Sequence, residues 1–400
     1  MAIEKKKNIL IVPSWFSLDG LIGSFFREQA EIFQNDFDLR FLHGVEKKYN
    51  ILKAISLLKN PRSIFKYEVH EHKNTCYIFD YPRFSFISSK YNFELKNFFY
   101  RRLFLKISKL EKWQPHLLHA QSTFDAGIII FNLSNTCNIP YIITEHNLFL
   151  MHWYNKKVKD DAKKALESAA RVLVVSNDKA RQILMHGIEI DPFFIGNLIN
   201  EKLFYYKPVQ PHTTFNITIV GHYATVKDYP TFFKTMQAVK KMTRYPLKIS
   251  CLGYNSWSDY DNSNAIKSIA ENLGLDDINF IGTVNRNEMN THYWDADVFV
   301  LTSIAEGLPV SVLEALACGR PVFTTRCGGV EDIIDHTNGA VVPVRNAMLL
   351  AENIINHLNG DLLFDHAGIS RDIIKRFGKD AFLSRLSGIY KSYLSSDSVL

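Results

Sequence analysis

Two glutamates separated by seven residues, Glu306 and Glu314, are the side chains whose spacing first suggests chemistry. The apolar run Val298–Leu301 before them predicts a buried strand, and the stretch from Pro309 to Cys318 predicts a helix that Gly319 would end. Glu306 then lies in a loop at the carboxyl end of a strand, where parallel sheets bind ligands, and Glu314 lies inside the helix. Because the amides of a helix start attract anions, the pattern favours a ligand with hydroxylated parts on either side of a phosphate. An ordinary helix-start acid followed by a surface glutamate fits the same spacing, so spacing alone leaves both interpretations open.

Further candidate side chains follow other predicted strands. Lys227 comes six residues after Gly221, which ends an apolar run, and it is predicted to begin a helix. A lysine at a helix start is unfavourable because it opposes the helix dipole, so it would not stabilise the helix. Binding of an anion explains a lysine at this position better. His119 and His146 each follow a short apolar run, and a lone histidine is often a packed, hydrogen-bonded residue. From the residues alone, a structural role and a functional role both remain open for these histidines.

Short apolar segments alternate with helical segments along the chain, which predicts parallel sheets with helices on both faces. The predicted strands of the first half are Asn8–Val12, Phe37–Leu42, Leu117–Ala120, Tyr141–Thr144 and Val172–Val175, and those of the second half begin with Ile217–Val220, Lys248–Leu252 and Ile278–Ile281. Four hundred residues exceed a single core, and a proline-containing polar region separates the two halves. We therefore predict an N-terminal domain over residues 1–196, a linker over 197–214, a second domain over 215–375 and a terminal helical segment over 376–400.

Composition excludes several classes of protein. With 46% apolar and 22% charged residues the chain is typical of a globular protein, and no run approaches the apolar length of a membrane-spanning helix. The first turn contains Gly20 and Gly23 but no G-x-G-x-x-G, which counts against a dinucleotide-binding oxidoreductase. The five cysteines show no metal-ligand spacing, so they are predicted to be reduced core thiols of a cytoplasmic protein.

The positive charge is concentrated in one region. Between Ile51 and Lys112 there are thirteen lysines and arginines against five acids, a balance of +8 that exceeds the net charge of +6 for the whole chain. Within this region the stretch from Tyr91 to Trp113 interleaves aromatic and aliphatic residues with cations, as an amphipathic helix does. A core helix with a basic outer face and a peripheral site for an anionic membrane both fit this pattern. Nucleic acid is not expected as a partner, because no nucleic-acid-binding motif accompanies the charge.

The segment EGLPVSVLEALACGRPV, beginning at Glu306, resembles the E-x7-E motif of family 4, the retaining, nucleotide-sugar-dependent glycosyltransferases. Three other segments are similar to motifs of that family: the loop from Pro13 to Gly23, the strand end Thr144–His146, and the glycine pair Gly328 and Gly329. The resemblance implies a GT-B fold, with two Rossmann-like domains, the acceptor bound mainly by the first domain and the donor by the second. It also implies that the helical segment near the C-terminus crosses back to the first domain.

The resemblance carries individual roles onto this sequence. His146, Glu306 and Lys227 would be catalytic, with Glu306 orienting hydroxyls of the transferred sugar and Lys227 stabilising the leaving diphosphate. Donor binding would also involve Gly23, with Gly20 as the weaker candidate, together with His222, Gly307, Leu308, Pro309, Val310, Glu314, Gly328 and Gly329. Glu314 would accept hydrogen bonds from the ribose. His222 occupies the position at which the family usually has arginine, so Lys227 should carry more of the phosphate charge.

The expected reaction is transfer of a sugar, with retained configuration, from a UDP- or GDP-sugar to a hydroxyl of a glycan or lipid-linked acceptor in surface polysaccharide synthesis. Neither a metal nor another cofactor is expected, because Lys227 and the helix-start amides can stabilise the diphosphate. A location at the inner face of the cell membrane would agree with the basic region. Two other functions fit the same motifs: epimerisation of a nucleotide sugar, and a binding protein without catalysis.

Overall fold

Two parallel β-sheets, each covered by helices, organise the chain in the computed structural model, which describes residues 6–18, 23–51, 65–71, 73–208, 213–254 and 263–394. The chain divides into two compact units. The first contains Met1–Val175, Lys179–Ile195 and the residues from Leu383 onward, and the second contains Ser176–Asp178 and Gly196–Phe382. Residues Asn197 to Thr214, predicted as a linker, are therefore counted with the second unit.

The sheet of the first unit has the strand order β3-β4-β2-β1-β5-β6-β7-β8, and every neighbouring pair is parallel except β3 with β4. Its strands are β1 (Lys7–Pro13), β2 (Phe37–Tyr49), β3 (Glu68–Glu71), β4 (Thr75–Phe84), β5 (Leu117–Gln121), β6 (Tyr141–Glu145), β7 (Arg171–Val174) and β8 (Pro192–Phe194). The helices that begin between these strands are α1 (Ser24–Glu31), α2 (Ser89–Leu110), α3 (Ile128–Cys137), α4 (Lys156–Glu167) and α5 (Asn177–Met185). All residues of β5 and β6 are buried, as expected for central strands that carry helices on both faces.

The sheet of the second unit has the order β11-β10-β9-β12-β13-β14 and is parallel throughout. Its strands are β9 (Phe215–His222), β10 (Leu247–Tyr254), β11 (Asn279–Phe280), β12 (Val298–Leu301), β13 (Val322–Thr325) and β14 (Gly339–Val342). The later helices are α6 (Tyr229–Met242), α7 (Ser263–Asn272), α8 (Met289–Asp295), α9 (Val310–Ala317), α10 (Ala347–Leu358), α11 (His366–Phe377) and α12 (Lys379–Leu394). Numbered within this unit, the strand order is 3-2-1-4-5-6, the order of dinucleotide-binding sheets. The direction of winding reverses between β9 and β12, and sheets of this kind generally bind ligands outside the carboxyl ends of the two strands at such a reversal.

Strand β12 and helix α9 agree with the predicted Val298–Leu301 strand and with the predicted helix to within one residue at each end. Gly319 has φ +77° directly after the last helical turn, which is the left-handed conformation that a C′ glycine provides. The predicted helix start at Lys227 was wrong. Lys227 ends a short 3₁₀ turn, and α6 begins two residues later, because the Asp228 carboxylate caps the helix by accepting bonds from the amide and hydroxyl of Thr231.

Helix α12 shows the predicted apolar periodicity: Phe382, Leu386 and Tyr390 are all buried. In the first unit, the Tyr390 ring packs edge-on against Phe33 and Phe37. The C-terminal part of the helix is thus a component of the first unit's core. The five cysteines are free thiols, and four of them are buried.

Candidate functional site

Lys227 and Glu306 meet at the reversal point of the second sheet. Lys227 follows β9 and Glu306 follows β12, and the Lys227 Nζ donates to Glu306 Oε1 at 2.7 Å. The Ser303 hydroxyl donates to the same oxygen at 2.6 Å. The side chains of Lys227 and Glu306 are 15% and 14% exposed, so the pair is shielded but open to a ligand at the sheet edge. Two residues 79 positions apart in the sequence therefore form one cation–carboxylate pair.

The stem of Lys227 lies against Gly221. A Cβ atom on Gly221 would lie 3.3 Å from Cδ and Cε of Lys227, closer than ordinary van der Waals contact, so glycine leaves room for the lysine to reach the sheet edge. His222 follows on the same strand. Burial, and then the adjacent Lys227 ammonium, lower the pKa of His222 to about 4. His222 is therefore neutral at pH 7 and can contribute a hydrogen bond but no charge, so Lys227 is the cation of this strand end.

The loop before α9 is held by two glycines with positive φ. Gly329 has φ +70°, and a Cβ there would lie 2.0 Å from the carbonyl oxygen of Gly307. Gly328 has φ +83°, and its Cβ would lie 2.5 Å from the Asp178 carboxylate. Both positions therefore require glycine, and the turn fixes the backbone at the start of α9 from one side.

Two further contacts fix the helix-start segment. The Glu306 amide donates to the Cys327 carbonyl at 2.6 Å, and the Asn197 side chain donates to the Leu308 carbonyl at 2.9 Å. The Leu308 side chain is buried, so this residue can offer a ligand only its backbone. Pro309 is the N-cap of α9, and Val310 is the first helical residue. Pro309 has no amide hydrogen, and the Val312 amide donates to the Pro309 carbonyl at 3.1 Å. The amides of Val310 and Ser311, which by helix geometry have no acceptor within the helix, are therefore the ones positioned for an anion.

Glu314 is buried within α9, and its carboxylate is bound by two residues that the sequence did not single out. Tyr293 donates its hydroxyl to Oε2 at 2.9 Å, and Arg286 forms an ion pair with Oε1. Burial raises the pKa of Tyr293 well above its ordinary value, so the phenol keeps the proton that it donates. The Arg286 guanidinium also lies over the Phe204 ring at 4.7 Å. Glu314 is thus an oriented carboxylate with a charge partner, and it is not the surface residue of the alternative interpretation.

In the first unit, His146 and Gly23 share a neighbour, the Phe26 ring. His146 Nε2 lies 2.7 Å from Gln121 Oε1, and the rings of Phe25 and Phe26 lie 5.3 Å from the imidazole. Gly23 has φ +68°, and a Cβ there would contact the Phe26 ring and the Trp15 carbonyl at 3.0 Å. Gly20, the weaker candidate, lies outside the described residues.

His119 is a core residue with both ring nitrogens hydrogen-bonded. Nδ1 lies 2.8 Å from the Tyr390 hydroxyl, and Nε2 lies 2.7 Å from the Thr144 hydroxyl. Burial, with a smaller effect of His146, lowers the pKa of His119 to about 3. These contacts support the structural interpretation of His119, which the sequence had left open.

The structure groups the candidate residues into two sets. The set in the second unit comprises His222, Lys227, Glu306, Gly307, Leu308, Pro309, Val310, Glu314, Gly328 and Gly329, and the set in the first unit comprises Gly23 and His146. Sequence reasoning missed Ser303, Arg286 and Tyr293. Ser303 is two residues beyond β12, a position that could have been found. Arg286 and Tyr293 carry no spacing signal, because they reach Glu314 only through tertiary packing.

Metal-binding and membrane-spanning features are absent from the described ranges. Nowhere in them do three or more histidines, cysteines or acids come together as a group that could hold a metal ion. No helix in the same ranges is long and apolar enough to cross a bilayer.

Comparison with known families accounts for both halves of the chain. The family described as glycosyl transferases group 1 matches residues 206–376, and the family described as glycosyltransferase family 4 matches residues 68–201. The chain belongs to the family 4 glycosyltransferases. The first match contains all the candidate residues of the second unit, and the second contains His146.

Relatives and solved structures agree with this assignment. TuaC of Bacillus subtilis, a glycosyltransferase named for teichuronic acid biosynthesis, is 26% identical over 265 residues, which cover 63% of this chain and 64% of TuaC. The match thus spans less than two thirds of that relative's length. The sucrose-phosphate synthase of Thermosynechococcus elongatus is 18% identical with a TM-score of 0.79 over 98% of this chain and 100% of the synthase chain. HepE of Anabaena, in complex with UDP and glucose, is 15% identical with a TM-score of 0.73 over 96% of this chain and 100% of HepE. These structures confirm the predicted GT-B fold class.

Proposed function

We propose that this protein transfers a sugar from a nucleotide diphosphate sugar to a hydroxyl of a glycan or lipid-linked acceptor. The observation that carries the proposal is the site at the reversal point of the second sheet. There the Lys227–Glu306 pair lies beside the rigid start of α9, and Glu314 lies within the same helix. A cation and helix-start amides flanked by two carboxylates suit a phosphate with a hydroxylated group on each side.

In the proposed reaction the bond between the sugar and the diphosphate breaks, and negative charge develops on the leaving phosphate. Lys227 and the amides of Gly307, Leu308 and Val310 stabilise that charge, and the neutral His222 adds a hydrogen bond. Because these groups supply the positive potential, the proposal requires no metal or other cofactor. The acceptor hydroxyl bonds to the anomeric carbon, its proton passes to the leaving diphosphate, and the configuration is retained.

Glu306 has the role of orienting the sugar that moves. When the donor binds, the phosphate competes for Lys227, and the Glu306 carboxylate becomes available to accept hydrogen bonds from sugar hydroxyls. Glu314 accepts bonds from the ribose, with Arg286 and Tyr293 fixing its orientation. In the first unit, His146 is proposed to contact the transferred sugar. None of these residues needs to form a covalent intermediate.

A UDP-sugar is the proposed donor, supported by the UDP and glucose of the HepE complex. Surface polysaccharide synthesis is the proposed context, supported by the name of TuaC. The proposed acceptor is correspondingly a growing glycan or a lipid-linked sugar.

Release of nucleotide from a panel of UDP- and GDP-sugars, measured with and without glycan acceptors, tests the proposal. Transfer predicts release that an acceptor stimulates, together with a glycosylated product by mass spectrometry. Conversion of the donor to a second nucleotide sugar without any acceptor would support epimerisation instead. Binding of nucleotide with no turnover of any donor would support the binding protein and contradict the proposed transfer.

We also propose that the outer face of α2 contacts an anionic membrane surface. Three large apolar residues at seven-residue spacing, Tyr91, Phe98 and Leu105, lie on this face and are exposed by 64%, 43% and 42%. Arg102 and Lys109 lie four residues after Phe98 and Leu105 and are exposed on the same face. An apolar stripe flanked by cations is the pattern of helices that lie on anionic bilayers.

Cosedimentation with vesicles tests this contact. The wild type is expected to bind vesicles containing phosphatidylglycerol more strongly than vesicles of phosphatidylcholine alone, and salt should weaken the binding. Replacing Phe98 and Leu105 together with serine should reduce it, and the exposed Leu363, replaced with serine, is the matched control. Equal binding of all variants to both vesicles would refute the contact, and a concentration-dependent dimer that the double variant abolishes would indicate a second copy as the occupant.

A further inference from the structure

The first sheet has its own reversal point, between β1 and β5. In open α/β sheets this is where a crevice forms outside the carboxyl ends of the strands. The loops that follow β1 and β5 are joined there by one side chain, because the Ser14 hydroxyl donates to the Phe124 carbonyl at 2.6 Å and accepts from the Ala126 amide at 3.3 Å. The loop after β5 is therefore held at the edge where the topology favours a ligand.

That loop contains two non-glycine residues with unfavourable backbone conformations. Ser122 has φ +81°, and Asp125 has φ +65° with ψ −72°. Hydrogen bonds on both sides hold this strained backbone in place. The Thr123 amide donates to the buried Glu145 carboxylate at 2.9 Å, and the Ser122 amide donates to the Thr144 carbonyl at 2.7 Å. Strained residues that surrounding contacts fix in this way are concentrated at binding and catalytic sites, because the fixed geometry holds a functional group in place. Here the group that is held is the Asp125 side chain.

A lysine from α2 fixes the Asp125 carboxylate. The Lys96 Nζ donates to Asp125 Oδ2 at 2.6 Å and lies 5.3 Å from the centre of the Tyr81 ring. The Lys96 side chain is 13% exposed, whereas that of Asp125 is 38% exposed. Burial alone would lower the pKa of Lys96, but Asp125 and two neighbouring tyrosines raise it, so the lysine stays charged. If the pair only joined α2 to the loop, two apolar side chains would do so without the free-energy cost of removing charges from water. A shielded lysine that holds an accessible carboxylate therefore indicates a binding role for the carboxylate.

Aromatic side chains accompany the carboxylate. The Phe124 ring, adjacent to Asp125 in the sequence, stacks on Tyr154 with the ring centres 4.0 Å apart and the planes within 3°. The residue before Tyr154, Trp153, is 72% exposed. Tyr154 is half-buried, and burial and then the nearby Asp125 carboxylate raise its pKa to about 12, so this ring lies close to the carboxylate. An accessible carboxylate near a partly exposed aromatic ring suits an uncharged pyranose, whose hydroxyls donate to the carboxylate and whose apolar ring face packs on the aromatic side chain. An ionised carboxylate accepts hydrogen bonds and cannot donate them, so it offers nothing to a phosphate.

We infer that Asp125, oriented by Lys96, binds hydroxyls of an uncharged pyranose at the reversal point of the first sheet. The inference rests on the proposed function in identifying this pyranose as the acceptor's terminal sugar. It assigns Asp125 as a binding residue and Lys96 as a positioning residue, and it limits the acceptor group recognised here to a neutral sugar.

Direct binding to the full-length protein tests the inference independently of turnover. The probes are p-nitrophenyl glycosides of glucose, galactose, N-acetylglucosamine and N-acetylgalactosamine, followed by saturation-transfer NMR and by calorimetry. Asp125→Asn keeps the shape and removes the charge, and it should weaken the best-bound glycoside by about tenfold or more, as expected for a charge-assisted hydrogen bond. Asp191→Asn is the matched control, because Asp191 forms a 2.6 Å ion pair with Arg171 in the same unit, beside the amino ends of β7 and β8.

Lys96→Met provides a second variant with a different expectation. It should also weaken the glycoside, but by less than Asp125→Asn, because the carboxylate remains although its orientation is lost. Unchanged glycoside affinity in Asp125→Asn, with only a lowered melting temperature, would show that the pair merely joins α2 to the loop and would overturn the inference. Failure of the wild type to bind any of the four probes would overturn it as well.

The inference and the proposed function fail in different ways. Acceptor-stimulated nucleotide release that is equal in Asp125→Asn and the wild type would refute the inference and leave the transferase intact. Glycoside binding that Asp125→Asn abolishes, in a protein that turns over no donor, would support the sugar site and refute the transferase.

Discussion

Replacing Glu314 with glutamine separates nucleotide recognition from the stability of α9. The carboxylate accepts from Tyr293 at 2.9 Å and pairs with Arg286, and the side chain is 5% exposed. Glutamine keeps an oxygen for the Tyr293 hydroxyl but loses the negative charge. Alanine would leave both partners without an acceptor, and removing one member of a buried pair costs about 3–5 kcal/mol. Glutamine is therefore the informative substitution.

The expected loss of affinity follows from the proposed bond to the ribose. A hydrogen bond to a charged acceptor contributes about 1.5–3 kcal/mol, which corresponds to roughly a ten- to hundredfold weaker Kd for the nucleoside diphosphate. Arg286→Met should weaken binding less, because the carboxylate remains although its orientation is lost. The double variant should be less than additive, because both changes act on one carboxylate.

Calorimetric titration of the four proteins with UDP and with GDP measures these affinities, and thermal unfolding reports any loss of structure. The matched control is Glu352→Gln, since Glu352 is an exposed helical glutamate in the same unit. A glutamine variant that binds the nucleotide as tightly as the wild type would refute the assignment of Glu314 to the ribose. A similar loss of affinity in Glu352→Gln would show that the effect is not specific.

Three further predictions concern other residues. Glu306→Gln should lower turnover by about tenfold or more and leave free-nucleotide binding unchanged or tighter, because Lys227 loses its competing carboxylate. Steady-state kinetics and calorimetry measure the two effects, and weaker nucleotide binding would contradict the prediction. Gly329→Ala should destabilise the fold and weaken nucleotide binding, because its Cβ would lie 2.0 Å from a backbone oxygen. Gly360→Ala is the control, since Gly360 has a similarly positive φ but nothing within 4 Å of the added Cβ, and equal melting temperatures of the two variants would exclude the steric cause. His119 should stay neutral down to about pH 4 in an NMR titration assigned with His119→Asn, and titration near pH 6.5 would contradict the buried site. Its pKa of about 3 in the folded protein is below that of a histidine in the unfolded chain, so this residue should lower the free energy of unfolding by about 1.4 kcal/mol per pH unit as pH drops below 6.5.

The sequence was most informative where a signal is local. The strand Val298–Leu301, the helix behind it and the glycine that ends the helix were predicted within a residue, because apolar periodicity, proline at the helix start and a left-handed C′ glycine act over one or two turns. One prediction from a local signal, the helix start at Lys227, was wrong. Lys227 was placed at a helix start because the capping capacity of Asp228, one residue later, was not recognised.

Sequence alone thus determined the alternation of strands and helices and the family, because each depends on residues close together in the chain. Tertiary structure decided which charges meet. The contact of Lys227 with Glu306 depends on β9 and β12 being neighbours, and that of Glu314 with Arg286 depends on the packing around α9. The strained loop that holds Asp125 likewise exists only because bonds from two strand ends fix it. Such contacts are set by strand order and packing, and neither is encoded in the spacing of the residues that meet.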